Sequence, residues 1–114
     1  MNAIRNQAIL NHDFLRDMYN DGYFPDFLVD KIKSILISVC LDIESKKPDS
    51  DEALFEITHA AVEKINELQE EFEENDSELE TGDREAMGSD FDFIVRTYGF
   101  VEVDIEDVIA PREW

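Results

Sequence analysis

Cysteine is nearly missing from this chain, and glycine, proline and positive charge are all scarce. The one cysteine among 114 residues, Cys40, cannot form an intramolecular disulfide, so a cysteine-stapled secreted scaffold is excluded. Three prolines and four glycines leave little room for the many tight turns of an all-β protein. No apolar run approaches membrane-spanning length, and the first residues lack a basic-then-apolar signal pattern. A soluble, cytoplasmic protein is expected. Also missing are a glycine loop able to cradle phosphate and a serine elbow flanked by glycines, the marks of nucleotide binding and of acyl transfer.

Ten Lys and Arg stand against 29 Asp and Glu, a formal net charge of −19. The imbalance falls on one part of the chain. Residues 1–48 carry seven acidic and six basic side chains, whereas residues 49–114 set 22 carboxylates against Lys64, Arg84, Arg96 and Arg112. A surface this anionic repels nucleic acid and acidic membranes, and it attracts basic proteins and cations. Cys40 lies within the apolar run 35–41 with no positive charge close in sequence, so it reads as a small buried hydrophobe rather than a nucleophile.

What is present is apolar: 43% of the chain is hydrophobic and eight residues are Phe, a composition that buries a core and is foreign to a disordered acidic tail. Long stretches rich in Glu, Leu and Ile favour helix. The expected fold is all-α: a compact bundle of about four main helices with a short ordered C-terminal segment, forming a single acidic helical domain over 1–114. Asn11 is a candidate cap for a short first helix with Phe14, Leu15 and Met18 on one side, closed by a turn at Asn20-Asp21-Gly22. Pro25 and Asp26 open a second helix, with Phe24 as a hydrophobic staple, and Lys46-Lys47-Pro48 ends it. Leu28, Ile32, Ile35, Val39 and Cys40 form its stripe, widened by Leu36, Ile37 and Leu41, as in a central helix.

Ser50 or Asp51 opens a third helix running to Asn75 or Asp76. Its seam is Leu54, Thr58, Ala61, Ile65, Leu68 and Phe72, spaced by four and three. Gly82 and Gly88 weaken helix through 77–89, so the fourth helix is expected from Ser89 or Asp90 to Gly99, with Met87, Phe91, Ile94 and Tyr98 on one face. Residues 101–106 alternate like a strand, but a lone strand has no backbone partner, and Asp104 caps a short helix equally well.

Several blocks resemble a family of small uncharacterised bacterial proteins. They are Met18-Tyr19-Asn20-Asp21-Gly22-Tyr23-Phe24-Pro25-Asp26, Leu28-Val29-Asp30-Lys31, Thr58-His59-Ala60-Ala61, Leu68-Gln69-Glu70-Glu71-Phe72, Ser77-Glu78-Leu79-Glu80-Thr81, Tyr98-Gly99-Phe100 and Ala110-Pro111-Arg112-Glu113-Trp114. The resemblance implies a bacterial, single-domain, largely helical protein. It transfers no functional residue.

The sharpest metal candidate is Glu56-x-x-His59, a helical carboxylate–imidazole spacing found in di-iron bundles, with Glu63 one turn on as a third ligand. A second such motif is missing: His12 is followed by Asp13 without the spacing. At about 100° per residue, Glu56 and Glu63 fall opposite the seam, where His59 pairing with them on the surface is the plainer expectation. Glu70-Glu71-x-x-Glu74 is similar to half the magnesium motif of all-α nucleotide pyrophosphohydrolases. Its later Glu-x-x-Asp has only Glu80-x-x-Asp83 to supply it, which comes too soon for a return helix, and no basic loop holds phosphate. The aromatic cluster Tyr19, Tyr23, Phe24 and Phe27 reads as a sealed joint between helices.

No cofactor is expected. The charge favours a non-catalytic acidic protein–protein interaction module with a basic protein partner, one specific form being an immunity or inhibitor protein against a cationic toxin or nuclease. The competing expectation is a metal-dependent enzyme or metal-binding protein, magnesium or transition metal, using the third-helix carboxylates. A homodimer through the apolar seams stays open.

Overall fold

Six helices carry the chain: α1 (Gln7–Asn11), α2 (Arg16–Asp21), α3 (Asp26–Lys46), α4 (Asp51–Glu74), α5 (Thr81–Thr97) and α6 (Ile105–Val108). They are seen in a computed structural model that describes residues 4–21, 24–75 and 80–114, and no strand occurs among them. Gly22, Tyr23, Asp76 and the block 77–79 lie outside the described residues. Among the described residues no helix is long and apolar enough to cross a membrane.

The long pair α3–α4 follows its capping chemistry. Pro25 is the N-cap of α3 and Asp26 its first residue, where a negative charge meets the positive end of the helix dipole. Lys47 ends α3 in the left-handed region at φ 48°, and Pro48 stops the chain from continuing as helix. Ser50 then accepts the Ala53 N–H at 3.1 Å and starts α4. So short a connection folds α4 back antiparallel on α3, the main packing in the molecule. Leu28, Ile32, Leu36, Val39 and Cys40 from α3 meet Leu54, Thr58, Ala61, Ile65 and Phe72 from α4, all buried. Ile35 and Leu68, expected in the seam, are only half-buried at its edge.

The N-terminal segment differs from expectation: two short helices stand where one was expected, with Phe14 and Leu15 in the linker between them. Asn6, not Asn11, caps α1, its Oδ1 accepting the Ile9 N–H at 3.2 Å, and Asn11 is the last residue of that helix. Asn20 and Asp21 belong to α2 rather than to a turn. The larger correction is α5, which begins at Thr81, not at Ser89 or Asp90. Asp83 accepts the Glu80 backbone N–H at 2.9 Å in a capping box. Burial of Met87 and Phe91 along the next turns offsets the roughly 1 kcal/mol that each helical glycine costs. The end of α5 is as expected. Gly99 takes φ 99°, its N–H donating to Arg96 at 3.0 Å and that of Phe100 to Val95 at 2.9 Å, a Schellman close.

The tail resolves in favour of helix. Asp104 accepts the Glu106 N–H at 2.9 Å and caps α6. Residues 111–114 then run along α4. Asn66 donates to the Pro111 carbonyl at 3.1 Å and accepts the Glu113 N–H at 2.9 Å. Trp114 is buried, with the Arg112 guanidinium 5.7 Å from its ring centre and its indole N–H without a hydrogen-bond partner among the described residues.

Candidate functional site

Because α5 starts early, Asp90 sits in the interior of a helix and not at its cap. Only 8% of it is exposed. A buried carboxylate needs donors, and the linker between α1 and α2 supplies them. The Leu15 N–H donates to Oδ2 at 2.8 Å, and His12 Nε2 meets Oδ1 at 2.8 Å. The His12 ring is stacked on Phe93, with centroids 3.9 Å apart, and stands edge-on to Phe14 at 4.6 Å. Leu15 itself takes φ 56°, a left-handed conformation that a residue with a branched side chain adopts rarely. Asp90 thus clasps a bent, strained linker onto α5.

Over this clasp opens a cleft of about 890 Å³ between α2 and the first half of α5. Asp13, Asp17, Asp83, Glu85 and Asp90 line it, five carboxylates against the one arginine, Arg16. Carboxylates sharing low-dielectric walls reinforce one another's field, so the cleft favours cationic groups. A His–Asp pair is also the base half of a nucleophilic triad. Here both Asp90 oxygens hold the linker and two phenylalanine rings flank the imidazole, which suits a clasp.

A second polar node lies at the far end of α3. Glu44 accepts the backbone N–H groups of Arg5 at 2.8 Å and Asn6 at 3.2 Å, and the Tyr98 hydroxyl. Burial acts to raise its pKa, but these hydrogen bonds outweigh it and hold the carboxyl below the usual range. Burial, the bond to Glu44 and neighbouring charge push the Tyr98 hydroxyl up. Burial, with Glu44 adding to it, pushes the nearby Cys40 thiol up to about 12. Cys40 should therefore resist alkylation in the native protein. A thiol raised from 9.0 to about 12 costs nothing in stability below pH 9.0 and lowers stability as the pH climbs through that window, where the unfolded chain loses the proton first. Denaturant midpoints across the window should fall, less steeply for Cys40→Ala, with Tyr98 supplying the residual slope.

A family model settles where such a chain belongs: it matches residues 8–114. The chain belongs to DUF5713, a family of unknown function. No curated protein and no solved structure matches it. Membership of DUF5713 therefore covers nearly the whole bundle, both sides of the cleft included, and leaves the chemistry to be read from the residues.

The sites singled out by spacing are placed as follows. Glu56 and Glu63 are exposed on α4. His59 turns away from them: its ring lies parallel to Phe55, centroids 5.5 Å apart, and its Nε2 meets the Asp107 carbonyl at 2.7 Å, tying α4 to α6. Glu70 and Glu74 are exposed, and Glu71 pairs with Lys31. The Glu80-x-x-Asp83 spacing belongs to the capping box of α5. Among the described residues no three His, Cys, Asp or Glu side chains converge as a metal site. In the aromatic cluster Phe24 is buried edge-on against Phe72, and the Tyr19 hydroxyl donates to Asp30. Phe27 is 46% exposed beside Lys31.

His12 and Asp90 went unrecognised in the sequence because the two are 78 residues apart and Asp90 has the look of a cap. The useful signal was Glu80-x-x-Asp83: taken as a helix start, it makes Asp90 an interior position two turns on.

Proposed function

We propose that this protein is a non-catalytic acidic interaction module of the bacterial cytoplasm that docks a basic protein surface. The observation that carries the reading is the α2–α5 cleft, whose described lining sets the exposed Asp13, Asp17 and Glu85, beside the committed Asp83 and Asp90, against Arg16. The reading is supported further by the charge of residues 49–114 and by the exposed acidic face of α4. The cleft is open and polar, suited to lysine and arginine side chains of a partner. An immunity or inhibitor protein directed at a cationic toxin or nuclease is the specific form that this chemistry fits best.

The test is affinity capture from the native lysate at low salt, followed by salt-gradient elution. Wild-type protein is expected to retain one dominant basic protein. The triple variant Asp13→Asn, Asp17→Asn, Glu85→Gln removes three exposed charges without touching the clasp or the capping box, and it should lose that protein. Equal capture by the variant contradicts the cleft as the docking surface, and an empty wild-type lane contradicts the interaction reading.

A further inference from the structure

A second cavity carries the opposite charge. It lies where the approach to α1 meets the end of α3 and the turn after α5, and it holds about 510 Å³, within the range of small-molecule sites. Ile43, Pro48, Tyr98 and Phe100 give it apolar and aromatic walls, Ile43 buried and the other three half-buried. Arg5 and Lys47, both exposed, line it with a single carboxylate, Glu44. On a chain with 29 acidic and 10 basic residues, two cations to one carboxylate is an inversion.

Glu44 is already committed. Its oxygens accept the backbone N–H groups of Arg5 and Asn6 and the Tyr98 hydroxyl. The two cations are freer. The Arg5 charge acts on Glu44 through space, but neither Arg5 nor Lys47 forms a salt bridge among the described residues. Two positive charges and one negative leave one positive charge for a bound group to neutralise.

The backbone supplies an independent pointer. Lys47 holds φ 48°, the left-handed conformation for which glycine is the usual residue after a helix. A lysine there costs backbone strain, and such strain gathers where the side chain it places is used. The strained turn sets Lys47 in the cavity lining.

We propose that this cavity binds a small organic monoanion, a carboxylate on an aromatic or aliphatic body, its charge between Arg5 and Lys47 and its body against Tyr98 and Phe100. A cationic ligand is opposed by both basic side chains. A bare phosphate overbalances the charge and leaves the apolar walls wet. None of the lining residues belongs to the α2–α5 cleft, so ligand binding and partner docking stand or fall separately.

Calorimetric titration with naphthoate tests the proposal, beside naphthamide as its neutral counterpart and inorganic phosphate as an anion without an apolar body. Wild type should take up one naphthoate per chain and bind the amide and phosphate about tenfold more weakly or worse. Lys47→Gly should weaken naphthoate about tenfold while the chain unfolds at no lower temperature, because glycine suits the left-handed turn. Arg5→Gln keeps the backbone N–H that Glu44 accepts and should weaken naphthoate similarly. Lys46→Gln, the neighbour outside the lining, should leave it unchanged. No saturable uptake by wild type would overturn the proposal. So would equal binding of the amide or of phosphate, wild-type affinity in either charge variant, or a loss at Lys46→Gln as large as at Lys47→Gly.

Discussion

Asp90→Ala should lower the folding stability by about 3 kcal/mol, read from urea or guanidinium unfolding. The substitution removes a carboxylate that is 8% exposed and accepts two bonds of 2.8 Å. It leaves the buried Leu15 N–H, in a left-handed backbone, without the carboxylate it donates to. Asp90→Asn should cost only about 1 kcal/mol, since an amide oxygen can still accept the Leu15 N–H. Asp92, two residues on, is the control. Its bond to Arg96 spans one turn of the exposed face, and Asp92→Ala should cost no more than about 0.5 kcal/mol. Equal effects at the two positions would contradict the clasp.

Phe72→Ala should cost still more, about 4 kcal/mol, because the cavity adds to the lost transfer energy. Phe72 is 1% exposed in the last turns of α4, with its ring edge-on to Phe24 at 5.6 Å. The contact holds the end of α4 against the entrance to α3, where Pro25 and Asp26 begin the long hairpin. Phe27, three residues from Phe24 but 46% exposed, supplies the comparison: Phe27→Ala should change stability by less than about 1 kcal/mol. Small domains have only about 5–15 kcal/mol to lose, so Asp90→Ala and Phe72→Ala together are expected to remove about half of the stability or more.

Much of this architecture was legible in advance, for identifiable reasons. α3 and α4 are long, strongly patterned and flanked by Pro25, Pro48 and Ser50, so period and caps agreed on the same boundaries. Gly99 marked the end of α5 because the Schellman turn needs a positive φ there. The start of α5 was misplaced because two glycines outweighed a capping box with Asp in the place usually held by Glu or Gln. That error concealed the cleft, since Asp90 read as a cap cannot also be a buried acceptor. His59 showed the other limit. Helical spacing placed it near Glu56 and Glu63, but its partner is a carbonyl of α6, 48 residues away. Local period locates a side chain on its own helix, and only packing between helices decides what it meets.

The claim that the cleft docks a basic protein is tested most directly by the association rate of the captured partner over a range of salt concentrations, for wild type and for the Asp13→Asn, Asp17→Asn, Glu85→Gln variant. Docking steered by the cleft predicts a wild-type rate that falls steeply as salt screens the carboxylates, with a slower rate and a shallower slope in the variant. A rate indifferent to both salt and the three substitutions would contradict the account.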